Sequence, residues 1–306
     1  MIDYDPHSWY SHFFDYRGSL LPEIVGRMSL CILWSAFVVL LHEWYPIVGV
    51  PATAHAISGF ALGLLLVVRT NSSYDRFWEG RKLWGAIINE SRNLGRLASS
   101  TLAKDPALLR ELLLWTSAFP VAAMHVLRNS CGLGKLASEL PADKVLQVTS
   151  SNHCALAVTR QMTQLLIEAR NRGLVSDYVF TALDNNVQLL VQYIGGCERI
   201  HKTPLPFAYV VHLRRAVLFY CYTLPFGLVQ DFSGWTLVAT MLIAYVFFGI
   251  EEIGVEIEDP FGSDENDLPL ERFCSTIERN LSELIAAPEG VSTGEGCALP
   301  TSGEQA

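Results

Sequence analysis

An uncharged apolar run covers residues 52–68, and one stripe of it repeats at steps of three and four residues. The stripe consists of Ile57, Phe60, Ala61, Leu64 and Val68. This spacing predicts one face of an α-helix. A helix over this run would be about 25 Å long, close to the apolar thickness of a bilayer. Small residues on the rest of its surface would let neighbouring helices approach closely.

Three further apolar runs predict helices of similar length, at residues 24–41, 205–229 and 235–250. Runs this short fit either a membrane span or a buried core helix. The distribution of Lys and Arg separates the two. The segment 69–202 holds 16 of the 22 basic residues, whereas the connections 42–51 and 230–234 hold none. This positive-inside pattern predicts four spans, with both termini and the 69–202 body in the cytoplasm.

The 69–202 body shows apolar residues at helical spacing, so we expect an all-α protein. Its helices are predicted at 106–128, with Asp105 as N-cap, at 153–170 and at 176–197, ending near Gly195 and Gly196. A last helix is predicted at 270–286. We expect one domain over 1–286, a polar-aromatic start (1–22) lying at the membrane interface or docked on the chain, and a disordered tail at 287–306.

Composition narrows the function classes. Half of the 306 residues are hydrophobic and only 17% are charged, which favours a membrane protein. The net charge of −9 argues against a nucleic-acid partner. Seven cysteines without a C-x-x-C pair indicate free thiols in a reducing compartment. The sequence contains neither a nucleophile-elbow motif nor a P-loop, so we do not expect an enzyme.

Three sequence blocks resemble the bacterial bestrophin family. They are Arg17-Gly18-Ser19 with Arg69-x-Asn71 and Tyr74-x-Arg76-Phe77-x-Glu79-x-Arg81-Lys82-Leu83-Trp84-Gly85, then Gly196–Tyr209, then Glu258–Pro269. The resemblance runs from about residue 17 to residue 283. It implies a homopentameric channel of the inner membrane, with one axial pore and a cytosolic helical body.

The resemblance also implies roles for single residues. In the family the second span lines a hydrophobic neck, which maps here to Phe60, Leu64 and Val68, with Ile57 and Ala61 if the helix is rotated. A second, cytosolic narrowing maps to Tyr178, or to Val179 if the alignment slips by one residue. Small inorganic ions are the expected partners. The family contains chloride and other anion channels, while the acidic net charge favours sodium or other monovalent cations.

For three groups of residues the sequence supports two roles each. Asp264 and Asp267 lie in an acidic loop that matches the calcium loop of animal bestrophins, but the same carboxylates suit helix capping and pairing with Arg. His55 fits the outer pore entrance or contact with a neighbouring helix. Glu198 and Arg199 suit a structural ion pair or a subunit contact. The competing function is a soluble or peripheral helical metal-binding protein whose apolar runs form its core.

Overall fold

The computed structural model describes residues 18–46 and 50–286, and every regular element within these ranges is a helix. The α-helices are α1 (Leu21–Trp44), α2 (Ala52–Thr101), α3 (Pro106–Leu127), α4 (Ala142–Thr149), α5 (Cys154–Asn171), α6 (Asp177–Lys202), α7 (Phe207–Phe232), α8 (Thr236–Glu256) and α9 (Leu270–Ala286). Short 3-10 helices cover Gly134–Ser138 and Ser233–Trp235. The predictions for residues 1–17 and for the tail 287–306 lie outside the described ranges.

Helix α2 is continuous over 50 residues, so the apolar run and the first helix of the body form one rod of about 75 Å. The polar residues that follow Val68 do not interrupt it, and the hydroxyl groups of two of them bond to backbone carbonyls. Ser72 Oγ donates to the Val68 carbonyl at 2.9 Å, and Ser73 Oγ donates to the Gly254 carbonyl of α8 at 2.6 Å. The rod therefore extends from the apolar bundle into the body.

The apolar bundle consists of α1, the first part of α2, α7 and α8, which pack on one another. Its interior includes Leu66 of α2, Leu213 and Cys221 of α7, and Phe248 of α8. Its exterior is also apolar: Leu33 and Phe37 of α1 are exposed. A water-facing surface of this kind would be costly, whereas a lipid-facing surface is expected of a membrane protein.

Helices α1, α2 and α3 and the α7–α8 pair are each long and apolar enough to cross a membrane. Helix α3 differs from the others, because 67% of its most apolar stretch is buried inside the protein, against at most 28% in the other three. It forms the centre of the body, where Trp115 and Phe119 pack with residues of α5, α6 and α9. The four predicted spans therefore correspond to α1, the first part of α2, α7 and α8.

Asp105 caps α3 as predicted, with its carboxylate accepting from the Leu108 amide at 3.1 Å. The predicted end of α6 at Gly195–Gly196 is wrong, since the helix continues to Lys202. Gly196 serves helix packing instead. A Cβ atom on Gly196 would lie 2.9 Å from Cδ1 of Leu83, so the missing side chain lets α2 and α6 approach closely.

The prediction of free thiols is wrong for one pair. Cys131 and Cys154 form a disulfide, with Cα atoms 5.9 Å apart. The two cysteines are 23 positions apart in the sequence, and neither lies in a recognisable cysteine motif. The other described cysteines are buried thiols. In the body, burial raises the pKa of Cys197 and of Cys274 to about 12, so both stay protonated at neutral pH.

Candidate functional site

The predicted neck residues form an exposed apolar stripe on α2. The fractional exposure of Ile57, Phe60, Leu64 and Val68 lies between 55% and 73%, and Ala61 between them is also exposed. Leu62 and Leu66 on the opposite side of the helix are buried in the bundle. The chain thus holds α2 firmly by one face and leaves a row of large apolar side chains uncovered on the other.

The side chain of His55 does not lie on the exposed face that carries the stripe. It is partly buried, its ring centroid lies 6.1 Å from that of Tyr220, and a Cβ atom on Gly227 would approach its Nδ1 to 2.9 Å. Both neighbours belong to α7. Of the two positions considered for this residue, the structure supports contact with a neighbouring helix.

The end of the stripe nearest the body is anchored by the next residue of the chain, Arg69. Its side chain is 1% exposed and donates from Nη2 to Glu258 at 2.7 Å. The other carboxylate oxygen of Glu258 accepts the amide of Leu205 at 2.8 Å. One carboxylate after α8 therefore holds the end of the stripe and the segment that leads into α7.

A second arginine of α2 strengthens this junction two turns further on. Arg76 donates to the backbone carbonyls of Ile200 and Thr203, each at 2.6 Å, and of Glu258 at 3.1 Å. One turn beyond it, Glu79 pairs with Arg199 of α6 at 2.6 Å. Three segments that are far apart in sequence thus meet beneath the stripe.

A third ion-pair group lies at the same end of the bundle. Glu251 of α8 is buried and accepts from Arg27 of α1 at 3.3 Å and from Arg214 of α7 at 2.9 Å. Arg27 also pairs with Glu252. The long arginine side chains satisfy buried acids here, and so they link three of the four helices of the bundle.

The polar groups of the acidic loop after α8 form hydrogen bonds with other groups of the same chain. Asp267 is buried and accepts the amide of Asp264 at 2.7 Å, and burial raises the pKa of Asp267 to about 6. Asn266 donates to Glu256 at 2.8 Å and to the Gly18 carbonyl at 3.2 Å. Arg128 donates to the Gly262 carbonyl at 2.8 Å.

Within residues 18–46 and 50–286, no three His, Cys, Asp or Glu side chains are grouped so that they could hold a metal ion. Carbonyl oxygens can complete a calcium site, so the sequence-based assignment of Asp264 and Asp267 stays a prediction. A calcium titration of single-channel currents tests it, since an absent response would remove the metal role.

Tyr178, the second residue of α6, is 90% exposed, which leaves it free to narrow a passage. Val179, the alternative position, is partly buried and packs on the core of the body. Ser176 caps the helix by accepting the Val179 amide at 3.4 Å. The geometry therefore favours Tyr178 over Val179 for the predicted cytosolic narrowing.

The comparison with known proteins agrees with this architecture. The family model described as "Bacterial/Fungal Bestrophin protein" matches residues 1–283. The chain belongs to the bacterial bestrophin family. A Nostoc relative of this bestrophin, named a voltage-dependent anion channel-forming protein, is 37% identical over 92% of this chain and 94% of its own. The similarly named YneE protein of Escherichia coli K12 is 35% identical over 93% and 94%.

Solved structures show the same fold. The crystal structure of a bacterial bestrophin homologue from Klebsiella pneumoniae matches this bestrophin with a TM-score of 0.81 and 32% sequence identity. The match covers 86% of this chain and 98% of the homologue. All-helical architecture with an apolar bundle and a helical body is therefore a property that the two proteins share.

Sequence reasoning missed the anchors of the bestrophin stripe. The partners Arg69 and Glu258 are 189 positions apart, and no periodic pattern connects them. Glu198 and Arg199 do not pair with each other: Glu198 lies 2.9 Å from His153 Nε2, and Arg199 contacts Glu79. The presence of Arg69, Arg76 and Glu258 in the quoted sequence blocks was the available signal.

Proposed function

We propose that this bestrophin is an anion channel of the cell inner membrane, built from five copies that each contribute α2 to a central pore. One observation carries the proposal: α2 is held by one face and presents an uncovered apolar stripe on the other. The names of the Nostoc and Escherichia coli relatives supply the ion class. Each copy would be a single channel domain over residues 1–286.

A ring of identical copies explains why the stripe is uncovered. Four short spans cannot enclose a pore, whereas copies related by a rotation axis can. Leu65 and Val67, on either side of the stripe, are also exposed and would contact the neighbouring copies. On the body, α5 and α6 leave a groove of about 680 Å³ lined by apolar residues such as Leu156, Ile167 and Val191. This groove would receive another part of the neighbouring body.

Phe60, Leu64 and Val68 follow one another at one helical turn, so rings of these residues would be spaced about 6 Å apart along the axis. A passing ion would have to lose part of its hydration over three successive apolar rings. Such a constriction conducts when it is wetted and blocks when it dries. Tyr178 would form a second narrowing in the cytosolic body.

The topology follows from charge. The connections at the far end of the bundle, 42–51 and 230–234, contain no Lys or Arg, and the body contains most of them. With the body in the cytoplasm, Arg27 and Arg214 lie at the inner boundary, and both termini are cytoplasmic.

Purified protein in planar bilayers under a NaCl gradient tests the proposal. We expect single-channel currents that reverse close to the chloride equilibrium potential. A reversal close to the sodium equilibrium potential would keep the channel and overturn the anion assignment. Absence of currents, together with release of the protein from membranes by alkaline carbonate without detergent, would contradict the channel itself.

A further inference from the structure

Asp75 lies on the continuation of the neck stripe into the cytosolic part of α2. Asp75 follows Val68 by seven residues, and this rotation around the helix axis is about 20° less than two full turns. It follows Leu64 by eleven residues, and this rotation is about 20° more than three full turns. Its direction from the helix axis therefore falls between those of these two neck residues. Because α2 is unbroken from Ala52 to Thr101, this relation holds in the folded chain. Asp75 sits about 10 Å beyond Val68 along the axis.

The Asp75 side chain is exposed and makes no ion pair or hydrogen bond with any described residue. Its neighbours on α2 differ in this respect. Arg69 is buried against Glu258, and Arg76 is bonded to three backbone carbonyls. Glu79 is paired with Arg199. Of the two acids of α2 in this stretch, Glu79 has an ion pair, whereas Asp75 has none among the described residues.

Asn71 is the other exposed polar residue of this face between Val68 and Asp75, and it is neutral. Lys82, the next exposed cation of the same face, lies about 21 Å beyond Val68, more than two Debye lengths at physiological salt. The first charge that an ion meets below the neck, on the wall that α2 provides, is therefore the carboxylate of Asp75.

We infer that Asp75 is a selectivity-determining residue: a ring of its carboxylates concentrates monovalent cations at the cytosolic end of the neck and depletes anions there. The inference rests on the proposed pore-lining role of α2. Five unit charges at a distance near the Debye length change the local ion concentration by about five-fold. Asp75 therefore lowers the ratio of anion to cation permeability that the apolar neck would have alone.

The experiment records Asp75→Asn channels in planar bilayers under a NaCl gradient. We expect the permeability ratio of chloride to sodium to rise by up to about 25-fold, because a five-fold cation enrichment and a five-fold anion depletion are both removed, so that the reversal potential moves towards that of chloride. Asp75→Glu keeps the charge and should retain the wild-type value. Asp143→Asn is the matched control, because Asp143 is an exposed aspartate of the body on α4, and its removal should leave the reversal potential unchanged.

Each result separates the inference from the proposed function. If wild-type protein conducts and Asp75→Asn reverses at the wild-type potential, the inference is wrong and the channel stands. If Asp75→Asn fails to assemble while Asp75→Glu assembles, the carboxylate holds the ring together and the inference is also overturned. If wild-type protein does not conduct, the proposed function fails first.

Discussion

Arg69 and Glu258 are joined by a bond of 2.7 Å that links the body-side end of the apolar stripe to the segment after α8. The guanidinium is almost fully buried, and its Nε and Nη1 have no acceptor among the described residues. The single bond to Glu258 is therefore its main compensation for desolvation. Movement of α2 at this point must involve the acidic loop and the start of α7.

Removing the acid from this pair should be strongly destabilising. For Glu258→Gln we expect a loss of about 3–5 kcal/mol in the free energy of unfolding, because a buried arginine is left without its counter-charge. The melting temperature of the detergent-purified protein measures this. The matched control is Glu139→Gln, which breaks an exposed pair with Arg110 at 3.5 Å and should cost less than about 1 kcal/mol. Equal melting temperatures for the two variants would contradict the anchoring role.

A polar side chain in the neck should favour the conducting state. Leu64→Asn places an amide in the middle ring, which lowers the free energy of wetting the constriction. We expect larger currents or longer openings in planar bilayers. Leu33→Asn on α1 is the control, since Leu33 is equally apolar and exposed but lies outside the stripe. Unchanged currents in Leu64→Asn, and in the triple variant Phe60→Ala, Leu64→Ala and Val68→Ala, would remove these residues from the pore.

Asp267 should make stability depend on pH. Its folded pKa of about 6 lies above the ordinary value of 3.8, so the folded state binds the proton more tightly than the unfolded state. The resulting stabilisation is complete below about pH 4 and is lost as pH rises through 6. Melting temperatures should fall between pH 4.5 and pH 7, in conditions of about constant salt. Asp267→Asn keeps an acceptor for the Asp264 amide and should flatten this dependence, whereas a slope equal to that of wild type would refute the assignment.

The Cys131–Cys154 bridge should stabilise the oxidised protein. It closes a loop with a sequence separation of 23, which corresponds to about 3 kcal/mol in the chain-entropy model. We expect dithiothreitol to lower the melting temperature of wild-type protein and to leave that of Cys154→Ser unchanged. Insensitivity of the wild type to the reductant would show that the bridge contributes nothing to stability.

Local sequence patterns were sufficient to predict much of the fold. Uncharged runs and the asymmetry of Lys and Arg located the helices of the bundle, and the boundaries of α9 agree with those predicted. These features depend on neighbours within a few turns of the same helix. Gly195 and Gly196 misled the prediction, because glycine marks both helix ends and close helix crossings, and only the position of Leu83 distinguishes the two.

The candidate site likewise combines features that the sequence predicts with contacts that only tertiary packing creates. The stripe from Ile57 to Val68 was readable from helical spacing, and Asp75 could have been found by extending that spacing. The contacts between the anchors could not be predicted, because Arg69, Arg76 and Glu258 meet through the packing of α2 against α6 and α8. The Cys131–Cys154 pair is likewise a product of tertiary packing rather than of sequence spacing.

Electron cryo-microscopy of the purified full chain tests the central claim most directly, because it shows both the number of copies and the segment at their axis. We predict a five-fold ring in which Phe60, Leu64 and Val68 of every copy face a shared axis, with Asp75 on the same wall below them. Single protomers, or a ring whose central wall is formed by a helix other than α2, would contradict the account.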